Sequence, residues 1–155
     1  MLLQETYAIE DYRKYDNATS SSYNDSIWNS VSAMSRETDY TVLTSSSATT
    51  PYVSISGDVI IEFDVKPVST GTTSPIIQIR NGSTVLLSAQ RRNDLLMNSG
   101  EWYHIKITID DNQCTILNTT NEYYVTGDVT DYNRFAFRIG ANEEIHFKDL
   151  KIYSA

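Results

Sequence analysis

One stretch of the chain decides the fold: GEWYHIKITID, residues 100–110. Apolar side chains alternate in it with polar ones, the apolar set being Tyr103, Ile105, Ile107 and Ile109. A period of two places successive side chains on opposite faces of a β-strand. We therefore expect a strand with one face in a hydrophobic core and the other face, which carries His104 and Lys106, in solvent.

The same alternation recurs along the chain and is interrupted by turn residues. The strand-like segments are Tyr7–Tyr12, Ser26–Ala33, Tyr40–Leu43, Tyr52–Ser56, Asp58–Pro67, Pro75–Arg80, Thr84–Gln90, Trp102–Asp110, Gln113–Leu117, Glu122–Thr126, Arg134–Gly140 and Glu143–Tyr153. Short strands at close spacing predict an all-β sandwich or barrel. We expect a single domain over residues 1–155, folded as an all-β, two-sheet antiparallel jelly-roll sandwich.

The alternating segments also predict the core and some local geometry. Asn81-Gly82 suits a type I′ hairpin turn, and a change of phase near Lys148-Asp149 predicts a β-bulge. The N-terminal strand is expected to pair near the C-terminal one. The predicted core residues are Val59, Ile61, Phe63, Val65, Ile77, Ile79, Val85, Leu87, Ile105, Ile107, Ile109, Phe135, Phe137, Ile139, Leu150 and Ile152.

Composition excludes several classes of partner. Twenty acidic residues against twelve basic ones give a formal net charge of -8, which disfavours binding to nucleic acid and to anionic membranes. The apolar runs are too short to span a bilayer, and the first residues show no signal-peptide pattern. The single cysteine, Cys114, lies in a strand-like run and is expected to be a buried structural thiol.

Three segments in order carry a resemblance to a known group of proteins. They are Asp58–Pro67, Glu101–Asp110, and Phe135–Gly140 followed by Ile145–Tyr153. Together they resemble the concanavalin A-like lectin and glucanase jelly rolls, especially the laminin-G-like branch, over roughly residues 57 to 155. The resemblance implies the same sandwich fold and a carbohydrate-binding role.

The opening of the chain carries a second resemblance. Residues 9–19, IEDYRKYDNAT, are similar to the starts of jelly-roll modules in tail and surface proteins of phages and archaeal viruses. This implies adhesion to a cell-surface glycan or cell-wall polymer, an extracellular or virion-surface location, and a possible homotrimer. Eleven tyrosines and an excess of Ser, Thr and Asn are typical of such surfaces.

Glycoside hydrolysis is the enzymatic function to weigh, because glucanases of the group present acidic residues at alternate positions of one strand. Here Glu62 and Asp64 occupy two of these positions, but the third is Lys66. Lysine replaces neither the nucleophile nor the protonated acid at neutral pH. We therefore predict that the protein is not an enzyme and has no catalytic residues.

Projection of the strands onto one outward face gives a candidate sugar-binding row, because planar polar side chains can hydrogen-bond sugar hydroxyls. An equally polar row is also what any solvated sheet displays. Trp28 is a candidate stacking platform, whereas Trp102 is expected at the edge of the core. The predicted ligand-binding residues are Glu62, Asp64, Gln78, Arg80, Gln90, His104, Lys106, Arg138 and Trp28.

No cofactor is predicted. Calcium would need carboxylates between loops, for which Asp110, Asp111, Asp128 and Asp131 are the candidates. Two histidines without ligand-spaced partners argue against zinc. The leading hypothesis is a noncatalytic recognition module, the alternative is a structural or oligomerisation domain of a fibre or virion, and the third is a glycoside hydrolase.

Overall fold

Twelve strands and one short 3-10 helix make up the regular structure in the computed structural model, which describes residues 12–18, 22–45, 50–68 and 76–155. The 3-10 helix covers Asp25–Ile27. The strands are β1 (Tyr12–Asp16), β2 (Met34–Arg36), β3 (Thr41–Thr44), β4 (Tyr52–Ser54), β5 (Val59–Pro67), β6 (Ile76–Asn81), β7 (Thr84–Gln90), β8 (Tyr103–Asp110), β9 (Gln113–Asn118), β10 (Tyr124–Asp128), β11 (Arg134–Arg138) and β12 (Glu144–Ser154).

The strands form two antiparallel sheets, which confirms the predicted jelly-roll sandwich. The larger, eight-stranded sheet has the order β10-β9-β8-β5-β12-β3-β2, and β1 pairs with β12 on the same edge as β3. The smaller, four-stranded sheet has the order β4-β11-β6-β7. The N-terminal strand therefore pairs with the C-terminal one, as predicted, although Tyr7 to Asp11 lie outside the described residues.

The core lies between the sheets and follows the alternation. In the central pair, Phe63 of β5 lies opposite Ile105 of β8, and both side chains are fully buried. Most predicted core residues are buried, but Val85 is wrong, since it is 44% exposed, and Leu87 and Ile139 are only partly buried. Among the buried residues that the alternation did not predict are Trp28, Leu43, Val53, Leu95, Met97, Ile145 and Phe147.

One predicted strand is wrong. Within Ser26–Ala33 the backbone forms part of the 3-10 helix, and then a single β-bridge joins Trp28 to Val53. The indole of Trp28 packs on Phe137 and Phe147, with ring centroids 6.1 and 5.6 Å away. The need to bury this ring overrides the extended strand that the local alternation predicts. The alternation also did not predict β2.

A buried carboxylate ties this region to the first strand. Asp16, at the end of β1, is 1% exposed and accepts a hydrogen bond from Trp28 Nε1 at 2.8 Å. Arg36 of β2 forms an ion pair with it at 2.9 Å, and the Asn24 backbone N–H donates to it at 3.1 Å. Several donors thus offset the cost of burying the charge.

The predicted bulge in β12 is confirmed. Its register with β5 shifts between Lys148 and Lys151, and Asp149 has a φ of 56°. The bulge keeps apolar side chains inward on both sides of the phase change.

The hairpin between β6 and β7 differs from the predicted type I′ turn. Its two-residue loop is Gly82-Ser83, and φ is positive at Gly82 but not at Ser83. This combination is the one that a type II′ turn requires.

Two further expectations concern the core thiol and membrane crossing. Cys114 is 1% exposed, which confirms the predicted buried thiol, and burial raises its pKa to about 12. No helix in the described ranges has the length and apolarity needed to cross a membrane.

Candidate functional site

The sandwich separates the predicted ligand-binding row into two groups. Glu62 and Asp64 of β5 and His104 and Lys106 of β8 lie on the outer face of the larger sheet. The other four members lie on the outer face of the smaller sheet, because β6, β7 and β11 pair with one another; they are Gln78, Arg80, Gln90 and Arg138. The expectation of one continuous row is therefore corrected.

On the larger sheet, His104 is held between two carboxylates. Its Nδ1 lies 2.7 Å from Asp64 Oδ1, and its Nε2 lies 2.8 Å from Glu62 Oε1. Asp64 is the direct cross-strand neighbour of His104, so the strand register itself creates the contact. The Tyr153 hydroxyl of β12 donates to the other oxygen of Glu62.

Glu62, Asp64 and His104 form a triad, and its contacts shift the pKa values of His104 and Glu62. Hydrogen bonds to Asp64 and Glu62 raise the pKa of His104 to about 9. The bond from His104 lowers the pKa of Glu62 to about 2, against an opposing effect of burial. At neutral pH the group is therefore an imidazolium between two carboxylates, and both ring nitrogens are already engaged.

Beside the triad lies an aromatic and cationic cluster that the sequence analysis did not bring together. Trp102 has the ammonium of Lys148 4.4 Å from its ring centroid and that of Lys66 at 5.3 Å. Tyr40 lies against Trp102 at 6.3 Å and stacks on His146 at 4.3 Å. We call the outer surface that extends from Glu62 to Trp102 the charged face. It includes the triad and this cluster and spans β8, β5 and β12.

A signal for this cluster was present in the sequence. His146 and Lys148 alternate with the buried Ile145 and Phe147, which points them to the outer side of β12. The register then places His146 beside Lys66 and Lys148 beside Asp64. The missing information was the pairing of β12 with β5, because alternation alone does not identify neighbouring strands.

Trp28 does not belong to either face. Its side chain is 6% exposed, packs within the core and donates to Asp16, so the prediction of a surface stacking platform is wrong. The indole has an apolar body and one polar atom, and the buried carboxylate of Asp16 satisfies that atom. Among the other aromatic candidates, Tyr123 and Tyr124 are exposed, whereas Tyr132 packs against the core.

The smaller sheet presents a different outer face. Gln78 is only 6% exposed, and Ala136 beside it is fully buried. The side-chain amide of Gln90 accepts a hydrogen bond from Asn93 at 2.8 Å and so stabilises the turn after β7. Arg80 lies opposite Arg134 in the adjacent strand. Gln78 is thus largely inaccessible to a ligand, and the amide oxygen of Gln90 is already engaged.

The calcium candidates are spread over strand ends and turns: Asp110 ends β8, Asp128 ends β10, and Asp111 and Asp131 lie in turns. Asp128 accepts hydrogen bonds from the backbone and hydroxyl groups of Thr130, which lower its pKa. Asp111 donates its backbone N–H to Asp58 at 3.0 Å. Among the described residues, no group of three or more His, Cys, Asp and Glu side chains is arranged to hold a metal ion.

Comparison with solved structures shows which folds are similar to this chain. A proposed glycosyl hydrolase from Parabacteroides distasonis has a TM-score of 0.63 at 11% identity, over 92% of this chain and 100% of that chain. The exoplasmic/lumenal domain of VIP36, solved with calcium and Man3GlcNAc, has a TM-score of 0.57 at 9% identity, over 91% and 88%.

A third similar structure is a toxin domain. The receptor-binding domain of botulinum neurotoxin type G has a TM-score of 0.57 at 13% identity, and the match covers 93% of this chain and 48% of that one. No protein-family model matches the chain, and no curated protein does either. At these identities the likeness is one of fold alone, that of a two-sheet β-sandwich.

Proposed function

We propose that the protein is a noncatalytic carbohydrate-recognition module that binds its ligand on the charged face. The observation that carries the proposal is that Trp102, which directly precedes β8, shares this face with the triad of Glu62, Asp64 and His104 on the paired strands β5 and β8. An indole can pack on the apolar face of a sugar ring, while fixed carboxylates accept hydrogen bonds from its hydroxyls.

The triad suits recognition because its members hold one another in place. Each carboxylate keeps one contact with His104 and has further acceptor capacity for a ligand hydroxyl. The His104 side chain is 38% exposed, compared with 18% for Glu62 and 29% for Asp64. Groups that are fixed before binding lose little conformational entropy when the ligand arrives.

The charge states support a binding role over hydrolysis. A glycosidase acid must carry a proton near neutral pH and therefore needs a raised pKa. Glu62 has its pKa lowered to about 2, and His104, with its pKa raised to about 9, is not a free base at neutral pH. The third position of the strand is Lys66, which lies near Trp102.

The location and the partner of the module are part of the same proposal. We place the module at an extracellular or virion surface, in a tail fibre or cell-surface adhesin, with a cell-surface glycan or cell-wall polymer as its partner. The excess of tyrosine and of small polar residues supports this placement. A fibre would supply several copies, and a homotrimer would raise weak single-site affinities through avidity.

A structural or oligomerisation domain is the second candidate, because one edge of the larger sheet carries exposed apolar residues. Tyr124 of the edge strand β10 is 61% exposed, and Tyr123, which precedes it, is 48% exposed. Leu96, whose backbone oxygen accepts a hydrogen bond from Asn121, is 46% exposed. Such an edge can pair with another copy. In that case the function would be assembly.

The test is a glycan-array and cell-wall-polymer screen, with light scattering to report the mass in solution. We expect saturable binding that is lost in Trp102→Ala and weakened about tenfold or more in His104→Gln, since tenfold corresponds to about 1.4 kcal/mol. Arg92→Gln, an exposed change outside the charged face, is the matched control. A stable oligomer that binds no glycan would favour the structural role.

A further inference from the structure

A cleft of about 500 Å³ lies on the side of the sandwich where β1 of the larger sheet meets β4, the edge strand of the smaller sheet. It lies apart from the charged face. Ile55 and Ile152, which are 6% and 1% exposed, are core residues at its base. The remaining lining is polar or basic: Arg13, Lys14, Tyr52, Ser54, Ser56, Asn133 and Arg134.

The charge of this lining is opposite to that of the whole protein. Three of the nine lining residues are basic and none is acidic, although the chain has a net charge of -8. None of these three cations is within 4 Å of a carboxylate belonging to the described residues. We call this site the cationic cleft.

Like charges are also adjacent to one another here. Arg13 and Lys14 are neighbours in sequence, and Arg134 lies directly opposite Arg80, which is outside the lining, across two paired strands. Directly opposed like charges destabilise a sheet. The pKa of Lys14 is lowered by burial and by the charge of Arg13. A bound anion would relieve this repulsion.

The backbone contacts hold the cations in place. The Arg13 guanidinium donates to the backbone oxygen of Ser56 at 3.1 Å, and the Lys14 ammonium donates to that of Ser54. The guanidinium of Arg134 lies 3.9 Å from the ring centroid of Tyr52. A guanidinium that stacks on a ring keeps its in-plane N–H donors available for a bidentate contact with a carboxylate.

We infer that the cationic cleft is a second binding site, and that its ligand is a carboxylate-bearing sugar such as a uronic acid. Arg134 binds the carboxylate, Arg13 and Lys14 add positive charge, and the hydroxyls of Ser54 and Ser56 contact the ring hydroxyls. The ligand size suits one or two sugar residues, because ligand sites of this kind are typically about 300–1,000 Å³.

The test compares sodium glucuronate with glucose, which differ in the carboxylate group, by NMR titration of the full chain. We expect glucuronate to bind with a Kd of about 1 mM and glucose to bind at least about tenfold more weakly. Arg134→Gln should weaken glucuronate binding about tenfold, whereas Arg92→Gln, which removes an equal charge elsewhere, should leave it unchanged. Lys14→Met provides a second variant should Arg134→Gln fold poorly.

Several results would overturn the inference. These are equal affinity for the two sugars, glucuronate binding that survives both Arg134→Gln and Lys14→Met, and tighter binding of inorganic phosphate than of glucuronate. The two sites can be distinguished, because Trp102→Ala should remove glycan binding on the charged face and leave glucuronate binding intact. Failure of one site therefore does not imply failure of the other.

Discussion

His104 makes the stability of the sandwich depend on pH. Its pKa is raised from 6.5 to about 9, so its stabilising contribution is complete below pH 6.5 and is lost as the pH rises through about 9. Glu62, with its pKa lowered from 4.5 to about 2, contributes fully above pH 4.5 and loses that contribution as the pH falls toward 2. Both contributions are complete between pH 4.5 and 6.5.

The change that tests this is His104→Gln, which keeps a polar side chain without the titrating charge. Because the triad is partly exposed, we expect its loss to cost about 1 kcal/mol, or about 3 °C in Tm, at pH 5.5. The difference in Tm between native protein and variant should shrink toward zero at pH 9.5. Thermal melts at the two pH values give the answer, and a difference independent of pH would contradict it.

At the scale of elements, Asp16 joins three parts of the fold: β1, β2 and the segment that carries Trp28. Removing one partner of a buried ion pair leaves the other charge poorly compensated. We expect Asp16→Ala to lower the free energy of unfolding by about 3 kcal/mol, measured by urea denaturation. Arg36, whose side chain is 15% exposed, would lose its buried partner.

The chain provides a matched control for this prediction. Asp25 pairs with the same guanidinium of Arg36 at 2.7 Å, but its side chain is 60% exposed. Asp25→Ala should therefore cost less than about 1 kcal/mol. Equal losses in the two variants would mean that burial does not set the strength of these contacts.

The elements that the sequence predicted best are those with unbroken alternation. β5 and β8 follow the expected pattern at every position, and even the bulge at Asp149 could be predicted from a change of phase. Alternation specifies which face of a strand is buried but not which sheet the strand joins. For that reason the predicted ligand-binding row was divided between two sheets.

The parts that the sequence could not predict depend on contacts between distant segments. The burial of Trp28 requires Asp16, Phe137 and Phe147 to meet it in space. The cationic cleft requires β1 to lie beside β4. In both cases the site forms only when strand pairing brings together residues that are far apart in sequence. The triad could be predicted in part, because its residues lie in the two most regular strands.

At the scale of the whole molecule, β1 completes the larger sheet along one half of β12. Removal of residues 1–15 would leave the Leu150 to Tyr153 edge of β12 without this partner and remove most of β1. An exposed strand edge promotes association with other chains. We expect this variant to melt at a lower temperature and to aggregate, as measured by thermal melts and light scattering.

A variant that lacks only residues 1–11 keeps all of β1 and provides the comparison. We expect it to remain closer to the full-length chain in melting temperature and in mass than the longer deletion. Should the deletion of residues 1–15 stay monomeric with an unchanged Tm, the pairing of β1 with β12 contributes nothing to stability.

The pairing of β1 with β12 also determines how the fold would respond to mechanical load. Tyr12 lies opposite Tyr153, so these two residues lie at the same end of one antiparallel pair. Tension applied between Tyr12 and Tyr153 would break the hydrogen bonds of β1 one after another instead of loading them all at once in shear.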